Sequence, residues 1–415
     1  MTTTDLIVIG SGPGGYRAAQ YAARQGLKVT IFEDRKAGGT CLNEGCIPTK
    51  CLVHDSLKGT PFKEAMDRKN QVSNQLRQGV EALMAMPGIT FVKEHAMLCG
   101  AHTVEAGGET YEARHIIIAT GSSAKLPPIA DIDREEVMTS TELLSIDHLP
   151  KRLAIIGAGV IGMEFASIFN RMGVEVDVYE FLKECLPMID KDLAKRLRKK
   201  MEKDGIRFHM GYSVSSIAEL EADAVLVATG RKPNIEGLGL EQVGIACCKG
   251  GIEVDAHMQT NVEGVYAIGD VNGKALLAHA ATFQGFKAVN HLLHKEDHIR
   301  LDIMPVAVFT TPEIACVGMT DEQCKQAGMA CKTYKGLYRA NGKALADGAE
   351  EGLAKIVTDS EGKIIGCHIL GAHAADMVQE VAALMNKDVY LSELADMIHI
   401  HPTLGEILQD IAINA

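Results

Sequence analysis

The sequence of 415 residues predicts an α/β protein made of two doubly wound parallel-sheet units followed by a C-terminal α+β unit. Three observations predict it. A pattern of strand, glycine turn, helix and strand occurs twice; further apolar strands ending in glycine interleave with the two copies; and from Leu301 onward the pattern changes to short glycine-punctuated strands followed by helices. The length exceeds one ordinary domain, and 47% apolar with 23% charged residues is a globular composition.

The two copies align without a gap, Asp5 to Glu33 (DLIVIGSGPGGYRAAQYAARQGLKVTIFE) on Arg152 to Glu180 (RLAIIGAGVIGMEFASIFNRMGVEVDVYE). Each carries Gly-x-Gly-x-x-Gly directly after an apolar strand: Gly10, Gly12 and Gly15 in the first, Gly157, Gly159 and Gly162 in the second. The first two glycines permit a tight turn and close approach to a pyrophosphate, the third lets helix pack on strand, and the helix N-terminus supplies N–H donors. An acidic residue closes the second strand at the same offset in both copies, Glu33 and Glu180, where a carboxylate would meet ribose hydroxyls. One such motif alone is commonly an ordinary turn; two matched copies predict two Rossmann-like dinucleotide-binding domains.

The interleaved strands add candidates. His115 to Gly121 (HIIIATG) and Ala222 to Gly230 (ADAVLVATG) both end in Ala-Thr-Gly, and Thr260 to Val271 is read as a turn and a strand ending in Gly269 and Asp270. The ligand crevice of a doubly wound sheet lies at the carboxyl ends of its strands, so Asp270 is placed to hold a polar cofactor chain. The expected units are 1–122 with 236–300, then 123–235, then 301–415, the last with helices near Ala374 to Met385 and Leu391 to Ile398.

Composition excludes several classes. A net charge of −12 argues against a nucleic-acid partner, and the basic run Lys191 to Lys203 reads as the solvated face of a helix. No apolar run is long enough for a membrane span, and the apolar strand near the start carries no signal-type leader, so a cytoplasmic setting is expected. Eleven cysteines show no zinc-type spacing, and no metal site is expected.

Two of those cysteines carry chemistry. Gly38 to Lys50, GGTCLNEGCIPTK, places Cys41 and Cys46 directly after the first repeat. Five residues of straight helix rise about 7.5 Å, more than the roughly 4.4–6.8 Å between the Cα atoms of a disulfide. The segment must therefore bend, and Gly45 allows it. A helix start would also favour the thiolate. Near the C-terminus, HIHPTLGE (His399 to Glu406) sets a histidine before a proline expected in a helix's first turn, with a carboxylate further on. A histidine held by a carboxylate can take a proton from a thiol and return it.

The stretch Gly38 to Lys50 resembles the active-site motif of the pyridine-nucleotide disulfide oxidoreductases, in the variant typical of their dihydrolipoamide dehydrogenase branch, and the likeness spans nearly the whole chain. The resemblance implies an FAD- and NAD-dependent enzyme that oxidises protein-bound dihydrolipoamide. It implies Cys41 as the interchange thiol, Cys46 as the thiol against the flavin, Lys50 near the flavin and Glu164 as its partner. It further implies His401 as acid–base and Glu406 as its orienter, acting on the disulfide of the opposite subunit of a homodimer built on the C-terminal unit. FAD contacts are expected at Gly10, Gly12, Gly15, Glu33, Lys50, Thr120, Gly121, Gly269, Asp270 and Ala278, and NAD contacts at Gly157, Gly159, Gly162, Glu180 and Gly230. The expected partner is a lipoylated protein of a 2-oxoacid dehydrogenase complex or the glycine cleavage system, because the chain starts without a lipoyl-type segment.

The sequence departs from the family pattern in three places. Segments 51–114 and 205–222 are shorter than usual, so the antiparallel meander of the NAD unit looks trimmed. Glu44 puts a charge between the two thiols. Alternative readings are a glutathione-type or mercuric reductase, opposed by Glu180 and by the ending EILQDIAINA without a cysteine pair, and a flavin-binding scaffold without activity.

Overall fold

A computed structural model describes residues 1–415 and contains three main sheets. The first holds Ile89–Val92, Val29–Phe32, Thr2–Ile9 and Glu109–Ile118 side by side, continued by the hairpin strands Thr103–Ala106 and Ala96–Gly100. Strand Val265–Ala267 joins it late, parallel to the end of Glu109–Ile118 with Val265 opposite Ile116 and Ala267 opposite Ile118. Leu6, Ile7 and Val8 are fully buried, as a parallel strand covered on both faces requires. Helix Pro13–Arg24 starts with proline in its first turn and lies against helix Ala278–Leu292, where Gly14 and Gly285 allow close approach.

The second sheet runs Arg207–Met210, Glu175–Glu180, Arg152–Ile156, Ala224–Val227 and Val137–Met138, all parallel. Between Arg207–Met210 and Ala224–Val227 there is one short 3-10 turn, Ile217–Glu219, in place of a meander. A two-stranded antiparallel ribbon, Ser122–Ala124 against Arg231–Pro233, carries the chain into and out of this sheet. The two repeat copies fold alike: both helices, Pro13–Arg24 and Val160–Arg171, span 12 residues and start after a glycine in extended conformation.

The third sheet is antiparallel, in the order Val306–Val308, Ile314–Gly318, Ile364–Leu370, Leu353–Asp359, Cys331–Leu337. Strand Leu353–Asp359 is buried on both faces because the sheet is sandwiched. Ala354 and Ile356 share a core with the helices Ala374–Met385 and Glu406–Ile413, whereas Leu353 packs into the core of the second unit. On that second face Lys355 is buried and reaches Asp190 at 2.8 Å and Asp192 at 3.3 Å, tying the third sheet to the second unit.

Three expectations need correction. The last helix begins at Glu406 rather than at Pro402; the His401–Pro402 bond is cis and lies in the preceding turn. The helix expected to reach Ile398 stops at Ala395. The strand expected to run to Asp270 stops at Ala267, and Gly269–Asn272 is a 3-10 turn in which Gly269, with φ +73, reverses the chain. No helix is long and apolar enough to cross a membrane.

Candidate functional site

The glycine motifs fold as paired turns. Gly10 (φ +100) would set a Cβ 2.4 Å from the Ala119 carbonyl oxygen, and Gly157 (φ +108) one 2.5 Å from that of Ala228, so the Ala-Thr-Gly strand ends press against both turns. Gly15 and Gly162 each leave only 1.9 Å between a would-be Cβ and the carbonyl of Gly10 or Gly157, which no side chain can occupy. Gly12 and Gly159 face open space instead. That open cradle at a helix N-terminus fits a pyrophosphate.

The two acids are equivalent in detail. Glu33 accepts the Ser11 N–H at 3.0 Å and the Ser11 hydroxyl at 2.7 Å, while Glu180 accepts the Ala158 N–H at 2.7 Å and the Leu182 N–H at 2.9 Å. Each carboxylate is thereby held at its cradle with lone pairs to spare for a ribose.

A single cleft of about 2620 Å³ brings these parts together. Its walls include Gly10, Gly12, Glu33, Cys41, Cys46, Lys50, Thr120, Gly121, Gly269, Asp270 and Ala278 on one side and Gly157, Gly159, Glu164, Glu180 and Gly230 on the other. Gly15 and Gly162 lie beneath it as packing positions, and His401 and Glu406 are not among its walls.

The chain breaks its helix between the thiols. Gly39–Asn43 is one short helix and Cys46–Lys58 another, with Gly45 (φ −145, ψ −115) between them, and a Cβ there would lie 2.9 Å from the Thr40 carbonyl oxygen. Cys46 opens the second helix, and its thiol lies beside that of Cys41. The Cys41 thiol donates, which with Lys50 draws the Cys46 thiol down to about 7 against its own burial, and pushes Cys41 well up. One turn on, Lys50 Nζ bonds both oxygens of Glu164 at 2.9 and 2.8 Å, and its ammonium lies 4.7 Å from the centre of the Phe309 ring. The Phe309 N–H donates to Glu164 at 3.0 Å, so three segments converge on one buried carboxylate. The Glu44 charge between the thiols is paired with Arg35 at 2.7 Å.

His401 Nδ1 lies 2.9 Å from Glu406 Oε1, and the Thr403 N–H donates to the other oxygen at 2.7 Å. The Thr403 amide first, and His401 second, hold the Glu406 carboxyl below its ordinary range. The His401 side chain is 81% exposed, and Ile398 and Ile400 beside it are exposed at 98% and 80%. His399 is turned inward and bonds Glu380 at 2.9 Å.

Sequence reasoning missed Arg231, Ser122 and Phe309. Arg231 donates to the Ser122 hydroxyl at 2.7 Å and to its carbonyl at 2.6 Å, and Ser122 donates to Asp270 at 2.5 Å. The relay fixes Asp270 at the cleft, and burial lowers the Arg231 pKa. Only the Ala-Thr-Gly-Arg run around Arg231 could have flagged it.

Two nucleotide cradles facing one cleft, with a thiol pair between them, define a dinucleotide-dependent dithiol–disulfide oxidoreductase. The pyridine nucleotide-disulphide oxidoreductase model matches residues 4–285, and the model of that family's dimerisation domain matches residues 304–412. The chain is 36% identical to a dihydrolipoyl dehydrogenase of Chlamydia muridarum over 448 residues, covering 99% of this chain and 96% of that protein. It is 37% identical to a leghemoglobin reductase of Glycine max over 454 residues, covering 99% and 87%. Among solved structures it is similar to a Cu(II) complex of the HOCl-induced flavoprotein disulfide reductase RclA from Escherichia coli, with a TM-score of 0.93, 31% identity and complete coverage of both chains. The chain belongs to the pyridine nucleotide-disulphide oxidoreductases. It is a flavoprotein enzyme of that family, its cofactors are FAD and a pyridine nucleotide, and its C-terminal unit is a dimerisation domain.

Proposed function

We propose that the protein is a dihydrolipoyl dehydrogenase working as a homodimer. The observation that carries this reading is the division of the machinery: a thiol pair with a stabilised inner thiolate lies in the cleft, while the His401–Glu406 pair is exposed outside it among bare isoleucines. The dimerisation-domain match supports a partner subunit covering that exposed pair, and the name of the Chlamydia muridarum relative supports the substrate.

In this reading residues 1–122 and 236–300 hold FAD through Gly10, Gly12, Glu33, Thr120, Gly121, Asp270 and the Ala278 helix start. Residues 123–235 hold NAD through Gly157, Gly159, Glu180 and Gly230, and residues 301–415 form the dimer. Glu180 sits where a 2′-phosphate would fall, which favours NAD over NADP. The flavin, when bound, supplies the electron relay between the thiol pair and the nicotinamide.

The chain's own groups do the rest. Nδ1 of His401 is engaged by Glu406, leaving Nε2 to take a proton from a dihydrolipoamide thiol. The resulting thiolate attacks Cys41 of the oxidised pair, the Cys41–Cys46 bond breaks, and Cys46 leaves as a thiolate. Lys50 stabilises that charge, and Glu164 and Phe309 hold Lys50 in place. The second substrate thiol then attacks the mixed disulfide, releasing lipoamide, and Cys41 takes up a proton. The lipoyl group arrives on a partner protein, and a cytoplasmic setting belongs to the same proposal.

Turnover of dihydrolipoamide with NAD, compared with glutathione disulfide and NADPH, tests the reading. A yellow protein active only in the first assay supports it. Activity only in the second assigns a glutathione-type reductase, and a protein inactive in both is tested with mercuric ion, reduction of which assigns a mercuric reductase and its absence a scaffold.

A further inference from the structure

A second pair of thiols meets in the dimerisation unit, away from the cleft. Cys324 lies in helix Asp321–Gln326 and Cys331 opens strand Cys331–Leu337 at the edge of the third sheet. The helix packs against that strand, and Cys331 lies near enough to Cys324 to act on its thiol. Both sides of Cys324 are pinned. Thr320 caps the helix start by a reciprocal bond with Gln323, and the helix ends in a Schellman reversal with Gly328 at φ +68. In that reversal the Met329 N–H donates to the Cys324 carbonyl at 2.9 Å and the Gly328 N–H to that of Lys325 at 3.1 Å. Two residues later the chain enters the strand at Cys331, so the reversal that ends the helix turns the chain back along it.

The two thiols are unequal in access. Cys324 is fully buried, whereas Cys331 is partly exposed. Burial first, and Cys331 second, push the Cys324 thiol up to about 11. The outer thiol can therefore meet a reagent and the inner one can only resolve what the outer has formed.

We propose that Cys324 and Cys331 form a second dithiol–disulfide couple, oxidised by low-molecular-weight disulfides and separate from Cys41 and Cys46. Cys331, as thiolate, attacks one sulfur of the small disulfide; that S–S bond breaks, and one small thiol leaves carrying the proton Cys331 lost. Cys324 gives its proton to solvent and attacks the Cys331 sulfur, expelling the second small thiol. One small disulfide is reduced to two thiols and one protein dithiol is oxidised.

The couple has a mechanical address. The strand that Cys331 opens also carries Gly336, where a Cβ would lie 2.8 Å from Ile411 and 2.9 Å from Ile407 of the helix beginning at Glu406. The disulfide would clamp the head of the strand on which the His401 partner's helix rests.

The reduced holoprotein is equilibrated in glutathione mixtures of increasing oxidised share, quenched in acid, alkylated under denaturant and cut by trypsin. Lys325 lies between the two cysteines. The expected result is a pair of peptides joined through Cys324 and Cys331, separating on reduction, with a midpoint unlike that of the Cys41–Cys46 peptides. Cys331→Ser removes the joined pair without lowering turnover, and Cys324→Ser converts it into a lasting glutathione adduct on Cys331. The proposal is overturned if wild-type Cys324 stays alkylatable in the most oxidising mixture, whether Cys331 is then free or glutathionylated. That measurement needs neither variant to fold and does not depend on the enzyme's substrate.

Discussion

Lys50 and Glu164 join the helix that starts at Cys46 to the helix of the second glycine motif, with both carboxylate oxygens in contact with one ammonium at 2.9 and 2.8 Å. The Glu164 side chain is 5% exposed, while the Arg35–Glu44 pair stands at 66% and 22%. Breaking a buried pair by removing one partner costs roughly 3–5 kcal/mol, whereas an exposed pair contributes about 0–1 kcal/mol. Lys50→Met should therefore lower stability to urea by about 3 kcal/mol, the low end because Lys50 is itself partly exposed. Arg35→Met should cost under about 1 kcal/mol. Equal losses in the two variants would show that Glu164 is solvated and the pair weak.

The Cys46 thiol is drawn down to about 7 by the Cys41 thiol first and by Lys50 among the smaller causes. Alkylation of Cys46 in the reduced protein, followed by peptide mapping, should therefore fade as pH falls through about 7. Its folded pKa lies below the ordinary thiol value, so the stability it contributes is present at high pH and is lost as pH falls through that same range. Cys41→Ala removes the largest cause and should move the alkylation profile upward. Cys41→Ser keeps a donor and should move it less. An unchanged profile in the alanine variant would contradict the contact.

Glu180→Gln should cost NAD roughly 10-fold or more in kcat/KM, the range for losing a hydrogen bond to a charged group, and should narrow the gap to NADP. Steady-state assays with both nucleotides check this. An unaltered ratio would mean that the carboxylate faces no ribose.

His401→Gln should lower dihydrolipoamide turnover by roughly 10²-fold with no loss of bound flavin, because the side chain is 81% exposed and supports little packing. Reassembled mixtures with Cys41→Ser should regain activity through dimers holding one intact site. Mixtures as inactive as their components would place the histidine and the thiols in the same subunit.

The repeat, the thiol segment and the acid closing each second strand were legible because local sequence dictates them. Gly10, Gly157, Gly15 and Gly162 sit where backbone approach forbids a Cβ, and a glycine there marks the turn unaided. Arg231, Ser122 and Asp270 were not legible as a set. Their contact depends on a ribbon that pairs residues more than a hundred positions apart, and nothing in either short segment announces the other. The start of the last helix was misread for a related reason. Proline at a first turn is a statistical preference, whereas the actual start is fixed by the Thr403 amide and His401 both meeting Glu406. The relief of the Glu44 charge by Arg35 likewise depends on the turn after Glu33.

Strand Val265–Ala267 lies beside Ile116–Ile118 although the whole second sheet is encoded between them. During synthesis the N-terminal sheet thus emerges from the ribosome with an open edge and must wait for the insert to be made before its last strand arrives. Such pairings of high contact order form slowly, and exposed edges invite association with neighbouring chains. The insert, whose five strands fall between Val137 and Val227, has no such wait. The vulnerable interval in the life of this molecule is therefore translational, and a pause in elongation just past Ala228 would lengthen the time for which that edge stays open.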